Sequence, residues 1–437
     1  MRLLTDITPL RASPAFRRLW IGSTLSLVGT SMTSFAIMLQ VYDATHSTAA
    51  TGAIGLVTLI PMLLIALPGG SLADRVDRRK LVLVMTAGQT AVSALLFGQA
   101  LLDHGAGLLW LVYALVAVQS AVAAVNTPAR RTLIPSLVPS AQLPAAMALN
   151  RISFQVMMIA GPALAGVITG ALGLKGCYLV DVLSSAGAFY GVGGMTAMPP
   201  ADKTPSPERS QLTLLREGLS YIGRNRILAG AFFADVNATF FGLPIALFPA
   251  INAERFGGDP RILGLFTAAI GVGGMVTAVL SGPVVRMSRQ GLAMLVSVAV
   301  WGLGFAVFAV SARLWLTLLA LAVAGAADTF TVVFRGIIVQ RVTPAELRGR
   351  VNAADYVVGA GGSQLGSLES GVVGSLTSPV ISALSGGLLT IAGAVVIAAA
   401  IPSFLRYRDP PPVPVAAPEP PPAAVPSADG PKRTSAS

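Results

Sequence analysis

Four acidic residues lie inside long apolar stretches of the chain, namely Asp181, Asp235, Asp328 and Glu369. A charged side chain at the centre of a membrane helix costs about 2.5–3.5 kcal/mol on insertion scales, so such residues usually face an internal cavity and serve a function there. A carboxyl group in such a place can bind and release a proton, because burial favours its neutral form. We therefore treat these acids as candidate proton-binding groups.

Asp235 is the first candidate for proton coupling. It lies nine residues after Arg226, the basic residue that precedes its apolar stretch. Nine residues of helix are about 13 Å long, which places Asp235 near the middle of a bilayer. Asp328 and Glu369 are further coupling candidates, and a structural ion pair explains them equally well. Gln119 and Asn237 are polar residues within apolar stretches, and we expect them to contact a bound cargo.

Arg335 needs an acidic partner. Asp328 lies seven residues earlier on the same predicted helix, which is about 10 Å along the axis and too far for direct pairing. Another acid, or water, must then meet Arg335 at the cytoplasmic end, and we expect Glu369 to be the counterpart of that acid, deeper in the cavity. Asp181 lies near the predicted external end of its stretch and is expected at the membrane interface.

A basic cluster that contains an acid follows the second apolar stretch, where residues 70–80 read GSLADRVDRRK. The carboxylate of Asp74 can pair with an arginine or lie at the positive N-terminus of a neighbouring helix, which would make the loop a switchable latch. Gly70, one turn earlier, would let that helix come close. An ordinary basic loop would need neither Asp74 nor this spacing, so we interpret the segment as a gating loop with the arginines Arg75, Arg78 and Arg79.

Signatures of enzymes are absent from the sequence. It contains no Gly-Lys dipeptide, and hence no P-loop, and neither His-Glu-x-x-His nor Gly-x-Ser-x-Gly. The histidines His46 and His104 fall in short predicted loops, and Cys177 is the only cysteine, which excludes an internal disulfide and a multi-thiolate metal site. We expect no catalytic activity, no cofactor and no metal site.

Twelve apolar stretches must position these residues, and each is long enough for a membrane helix of about 20 residues. Hydrophobic residues make up 54% of the 437 residues and charged residues 11%, whereas a soluble domain carries about 25% charged residues. We predict an all-α membrane protein. Its expected spans are residues 20–41, 51–72, 81–102, 108–125, 154–174, 178–198, 227–251, 262–285, 292–310, 314–333, 356–374 and 380–401.

The basic residues lie almost entirely on one predicted side of the membrane. All but four of the 30 Lys and Arg residues fall at the termini or in even-numbered loops; the exceptions are Lys175, Arg255, Arg261 and Arg313. Basic side chains stay on the cytoplasmic face, so we expect both termini there. The net charge of +11 is spread over short loops without interleaved aromatic residues, which favours lipid headgroups rather than nucleic acid as partner.

The chain divides into two halves of six spans. We expect residues 1–198 and 227–408 to form two pseudo-symmetric six-helix bundles. Between them, residues 199–226 begin with four prolines and continue with leucines at helical spacing, which predicts a cytoplasmic linker with an amphipathic helix. Residues 409–437 are rich in Pro, Ala and Ser and are predicted to form a disordered tail.

The two halves show weak self-similarity. An offset of 205 residues places Arg130, Pro139, Ala148, Gly161 and Gly166 on Arg335, Pro344, Ala353, Gly366 and Gly371, and an offset of 212 places Gly52 and Gly70 on Gly264 and Gly282. Each matched pair falls at the same place in the predicted topology. This favours a duplicated six-helix unit, which is a known design of transporters.

The gating loop after the second of twelve spans resembles the loop motif of the major facilitator superfamily, with Asp77 where that family usually has a glycine. Residues 9–16, 216–224 and 343–351 resemble the branch that contains enterobactin exporters and macrolide efflux proteins. The resemblance extends to about Arg408. It implies proton-driven export in which two bundles alternate around a central site.

The fifth span contains Gly161, Pro162 and Gly166, which resemble the glycine-proline motif of antiporters in this superfamily and imply export rather than uptake. Close helix packing with a proline kink is a compatible interpretation. The fourth span lacks the mid-membrane arginine of many drug antiporters and has Arg130 and Arg131 only near its cytoplasmic end. Proton coupling must then depend on other groups.

The sequence and the resemblance together predict a secondary active exporter of an amphipathic small molecule, such as a siderophore or a hydrophobic drug. We expect proton antiport by a monomer in the bacterial cytoplasmic (inner) membrane. A channel or a non-transporting membrane scaffold is the alternative. Two six-span halves and a gating loop favour a carrier.

Overall fold

The structure, a computed structural model, describes residues 6–102, 108–195, 211–284 and 287–408, with the side chains of all of these except 66–75, 211 and 280–284. All regular structure in these ranges is helical. The α-helices are α1 (Thr8–Ala12), α2 (Pro14–Thr45), α3 (Thr48–Arg75), α4 (Arg78–Leu101), α5 (Leu109–Leu137), α6 (Leu143–Leu172), α7 (Leu174–Gly193), α8 (Gln211–Arg224), α9 (Arg226–Phe241), α10 (Phe248–Phe256), α11 (Pro260–Val284), α12 (Gln290–Val310), α13 (Leu314–Val342), α14 (Arg348–Leu376), α15 (Pro379–Ala400) and α16 (Pro402–Leu405). The predicted tail, 409–437, lies outside the described residues.

Polar capping residues mark where five of the long helices begin. The side chains of Ser13, Ser47, Asp77, Asn225 and Ser378 each accept a hydrogen bond from a backbone N–H of the first turn that follows. Such a cap satisfies a donor that the helix itself leaves unpaired. Asp77 therefore has a structural role in the gating loop, and its φ of −53° requires no glycine there.

Ten helical segments of the described chain are long and apolar enough to cross a membrane. Helices α7 and α14 are not among them. Helix α7 is 20 residues long and carries Lys175 and Asp181, which lower its mean hydropathy. Helix α14 is rich in glycine and carries Asp355 and Glu369, which lowers its mean hydropathy.

The seventh apolar stretch was predicted as one helix over 227–251, and this prediction is wrong. Helix α9 ends at Phe241, a short 3-10 turn follows at Ile245–Leu247, and α10 begins at Phe248. Gly242 caps α9, and Pro244 has no backbone N–H with which to continue the helical hydrogen bonds. The apolar run thus continues while the helix is interrupted.

Several helices extend beyond their apolar stretches through polar residues. Helix α6 begins 11 residues before the predicted span, at Leu143, and α14 begins eight residues early, at Arg348. Helix α13 continues to Val342. Asp355 therefore lies two turns inside α14 rather than in a loop.

Helices of each half pack mainly against helices of the same half. In the first half α2 packs on α6 and α7, while α5 packs on α3 and α4; in the second half α12 packs on α13 and α15, while α14 packs on α9. Between the halves the main contacts are α3 with α14 and α6 with α11. Helix α8 lies against the start of α14, where Glu217 forms a 2.8 Å ion pair with Arg350.

The two halves approach closely on one side of the molecule, where α3 and α11 begin. We call this the far side. The opposite side, where α2 begins, is the terminal side. The Thr48 hydroxyl donates a 2.8 Å hydrogen bond to the carbonyl oxygen of Gly371 across the α3–α14 pair. In the α6–α11 pair, a Cβ at Gly166 would lie 2.5 Å from the carbonyl oxygen of Pro260. Glycine allows this backbone contact, which a larger residue would prevent.

Candidate functional site

A cavity of about 440 Å³ lies between the two halves. Helices α2, α3 and α5 form its wall from the first half, and α14 with the segment between α9 and α10 forms the wall from the second half. Apolar side chains such as Ile37, Met38 and Ile54 share this wall with the amides of Gln119 and Gln364. Such a lining suits a ligand that is largely apolar and carries a few hydrogen-bonding groups.

Three charged residues form a cluster beside this cavity, on helices α9, α13 and α14. The Arg335 Nη1 donates a hydrogen bond to Asp235 Oδ2 and lies 3.2 Å from Asp355 Oδ1. Asp235 is 4% exposed, so its carboxylate lies inside the protein and not among lipid chains. None of the three residues is part of the cavity lining, but Tyr356, the next residue after Asp355 on α14, is.

Asp355 is a member of the cluster that the sequence reasoning missed. It lies one residue before the apolar stretch that was taken as the eleventh span, so a search for acids within apolar stretches passes over it. The sequence did contain a signal that could have identified Asp355, because Arg335 had no acidic partner on its own predicted helix. Any acid within two turns of the start of the next helix was then a candidate.

Asp328 and Glu369 lie outside the cluster. Asp328 is two turns before Arg335 on α13 and is partly exposed. It has no hydrogen bond or ion pair to any described residue. The charges of Asp235, Arg335 and Arg151 reach it only at longer range. Glu369 lies 14 residues after Asp355 on α14, which is about 21 Å along the axis. The acid that Arg335 was expected to meet is Asp235, together with Asp355, and a role for Glu369 deeper in the cavity stays a prediction.

Asp181 lies inside the first half, not at the membrane interface as expected. It is 2% exposed, and its Oδ2 accepts hydrogen bonds from Thr33 Oγ1 at 2.8 Å and Ser93 Oγ at 2.7 Å. Thr30 Oγ1 lies 3.5 Å from Oδ1. The expectation failed because α7 begins at Leu174 and carries Asp181 two turns into the helix, where α2 and α4 cover it.

Arg130 has only neutral partners among the described residues. Its Nη2 donates a 3.0 Å hydrogen bond to Thr86 Oγ1, and its Nε donates to Asn126 Oδ1 at 3.3 Å. Asn126 in turn donates to Gln89 Oε1 at 2.6 Å. The first half thus holds this guanidinium group with amides and a hydroxyl.

The structure separates the two residues that were predicted to contact cargo. Gln119 lies in the cavity wall. The Asn237 amide instead donates a 2.8 Å hydrogen bond to the Thr390 carbonyl oxygen on α15, and Asn237 is not part of the cavity lining. Asn237 therefore joins two helices of the second half.

The predicted gating loop is only partly described. Gly70, Asp74 and Arg75 fall among the residues whose side chains lie outside the description. Arg78 begins α4, and Arg79 donates hydrogen bonds from Nη2 to the Gly193 carbonyl oxygen at 2.6 Å and from Nε to that of Val192 at 3.4 Å. A cation at the C-terminal end of α7 is favourably placed, since a helix carries partial negative charge there.

The glycine-proline motif lies on α6 at contacts between helices. Gly161 and Pro162 are buried, a Cβ at Gly161 would overlap Ser31 of α2, and Gly166 faces α11. The motif therefore lets α6 approach a helix of each half. In the described part of the chain, no group of three His, Cys, Asp or Glu residues is placed to hold a metal ion.

A family model described as transmembrane secretion effector, within the major facilitator superfamily, matches residues 4–419. The chain belongs to this family. The resemblance seen in the sequence is confirmed, and the transporter is accordingly not an enzyme. The multi-pass membrane character expected from the apolar stretches follows from the same membership.

Two curated relatives align with nearly the whole transporter. The enterobactin exporter EntS of Citrobacter koseri is 27% identical over 417 residues, covering 95% of this chain and 98% of its own. That of Shigella boydii serotype 18 is 25% identical over 411 residues, covering 94% and 97%.

Solved structures of transporters share the fold. A bacterial homologue of the iron transporter ferroportin in an inward-facing state has a TM-score of 0.67 at 15% identity, with 90% of this chain and 98% of the other covered. The nucleoside transporter NupG has a TM-score of 0.69 at 15% identity, with 90% and 99% covered. At this identity the likeness concerns the fold alone.

Proposed function

We propose that the transporter exports an amphipathic small molecule from a bacterial cell by proton antiport with alternating access. It would lie in the cytoplasmic membrane with both termini in the cytosol. Twelve membrane helices would form two six-helix bundles, residues 1–198 and 227–408. Residues 199–226 would link them, and 409–437 would form the tail.

The observation that carries this proposal is a charged cluster beside a cavity that both halves line. Asp235 is able to bind a proton only if it gives up its bond to Arg335, because a neutral carboxyl is a weaker partner for a guanidinium group. Arg335 would then turn fully to Asp355, at 3.2 Å in the structure. Such a shift pulls α13 toward α14, which lines the cavity, and so links protonation to the site of the cargo.

The contacts on the far side support a carrier rather than the alternative, a channel. Thr48 and Gly371 join α3 to α14, and Gly166 packs on α11, so the halves are in contact beyond the cavity on that side. A carrier must close one side at a time, whereas an open channel needs a continuous path. A non-transporting scaffold would have no use for a cavity that both halves line.

The cargo class follows from the cavity and the relatives. The apolar wall with Gln119 and Gln364 suits an amphipathic molecule. Two relatives of full length are named enterobactin exporters, so a siderophore is our first proposal for the cargo and a hydrophobic drug the second.

The test is transport in proteoliposomes with an imposed pH gradient, using labelled enterobactin and a fluorescent hydrophobic dye as probes. Wild-type protein should move at least one probe, and a protonophore should stop it. Asp235→Asn should abolish gradient-driven transport while probe binding remains largely intact. Asn237→Ala is the matched control, two residues away and outside the cavity lining. Unchanged transport by Asp235→Asn would reject this residue as the coupling group, and gradient-independent flux by the wild type would favour a channel.

A further inference from the structure

Asp181 lies in the first half, apart from the cluster of the second half, and its surroundings are unlike those of Asp235. Helices α2, α4 and α6 pack against α7. From these helices and α7 itself, the groups that reach the carboxyl are the hydroxyls of Thr30, Thr33, Ser93 and Ser184, and no charged or titratable side chain of the described residues faces it. A carboxylate buried without a counter-charge is costly, so a site of this kind tends to take up a proton.

The hydroxyl groups around Asp181 can serve both states of the carboxyl. A Ser or Thr hydroxyl has one donor and two acceptor positions and rotates to suit its neighbour. Thr33 and Ser93 now donate to Oδ2 at 2.8 and 2.7 Å; rotation of one hydroxyl would let it accept a hydrogen bond from the O–H of a neutral carboxyl instead. Arg335 offers Asp235 no such choice, because a guanidinium group only donates.

Thr30 connects this buried carboxyl with the cavity. It lines the cavity, and its hydroxyl lies 3.5 Å from Asp181 Oδ1. Of the other three hydroxyls, those of Thr33 and Ser93 are buried at 0% and 2% exposure, and Ser184 is half-buried but is not part of the cavity lining. Thr30 is therefore the contact through which the cavity reaches Asp181.

We propose that Asp181 is a second proton-binding site, in the first half, which exchanges its proton with the cavity through the Thr30 hydroxyl. This inference deepens the proposed antiport and depends on it for its role in transport. Only O–H bonds change: a hydronium ion in the cavity gives a proton to the Thr30 oxygen and becomes water, while Thr30 passes its own hydroxyl proton to Asp181 Oδ1.

The test is infrared difference spectroscopy of the full-length protein in nanodiscs, without cargo or gradient, as the pH changes from mildly acidic to mildly alkaline. Asp181→Asn should remove one component of the protonated-carboxyl band and lower the number of released protons by about one per protein. Asp235→Asn should leave that component in place. A band and a proton count that Asp181→Asn does not change would overturn the proposal.

Two further variants keep the test decisive. Asp181→Glu retains a carboxyl and should shift the frequency of the component; an unshifted band would contradict the assignment even if Asp181→Asn does not fold. Thr30→Val should slow the response to a pH jump without reducing its amplitude, whereas Ser34→Ala, which removes another cavity hydroxyl, should leave the rate unchanged. Because no cargo is used, failure here leaves the proposed export testable by transport alone.

Discussion

In the second half of the transporter Arg335 contacts two carboxylates, whereas in the first half the partners of Arg130 among the described residues are neutral side chains. The offset of 205 residues that places Arg130 on Arg335 also places Asn150 on Asp355. An amide thus stands at the position where the second half has an acid. Asp181, the acid within a predicted span of the first half, is held apart among hydroxyls.

This difference shows two ways of keeping charge inside a membrane protein. A buried ion pair is stable only while both members are charged. Removal of one member leaves the other charge buried without a partner, which carries a large desolvation cost. Neutral hydrogen-bonding groups stabilise a lone charge less, but they also accept its neutral form. We expect the second half to be more sensitive to substitution and the first half to be more tolerant.

The largest effect is expected for Arg335→Gln. This change leaves Asp235 and Asp355 facing each other without a cation, and breaking a buried pair in this way costs about 3–5 kcal/mol. Loss of helical circular dichroism on heating in detergent should begin at a clearly lower temperature than in the wild type. A variant that also carries Asp235→Asn should recover part of the loss; absence of any recovery would show that the pair is not the cause.

A smaller effect is expected for Arg130→Gln. Glutamine keeps a donor for Thr86 or Asn126, and no carboxylate is left unpaired, so the loss should be about 1–2 kcal/mol. The same melting experiment measures it. If Arg130→Gln melted as early as Arg335→Gln, the contrast between the two halves would be refuted.

The smallest effect on stability is expected for Asp181→Asn. The amide oxygen can accept from Thr33 and Ser93, and a rotated hydroxyl can accept from the new amide N–H, so the change should stay within about 1 kcal/mol. Asp181→Leu, of similar size but without polar atoms, should be clearly less stable because it leaves the buried Thr33 hydroxyl without its partner, whereas Ser93 keeps the Gln89 carbonyl oxygen. Equal stability of the two variants would mean that the hydroxyls do not hold the carboxyl.

The sequence predicted the helical membrane fold well because its physical cause is local. Long apolar runs must form helices in lipid, and this holds for each residue without knowledge of its neighbours in space. Helix breaks and extensions were harder. The interruption at Gly242 and Pro244 lies within an unbroken apolar run, and the early start of α14 at Arg348 lies outside one.

The candidate site was predicted less completely, because it depends on how the helices pack. An internal position for Asp235 followed from the cost of exposing a charge to lipid. Asn237 was grouped with it, yet residues two apart on a helix point about 200° away from each other, and Asn237 accordingly faces α15. The angle between the two side chains around the helix axis could be read from the sequence. Only the packing of the helices shows which of the two faces the interior cluster and which faces α15.

Helix α14 contributes residues to the charged cluster, to the cavity wall and to the contact between the halves on the far side. Asp355 meets Arg335 near the terminal side, Gln364 lines the cavity, and Gly371 accepts the hydrogen bond from Thr48 on the far side. These positions span 16 residues, or about 24 Å of helix. In the proposed antiport, a displacement of α14 at the cluster would therefore also act on its contact at the far side, with the cavity in between.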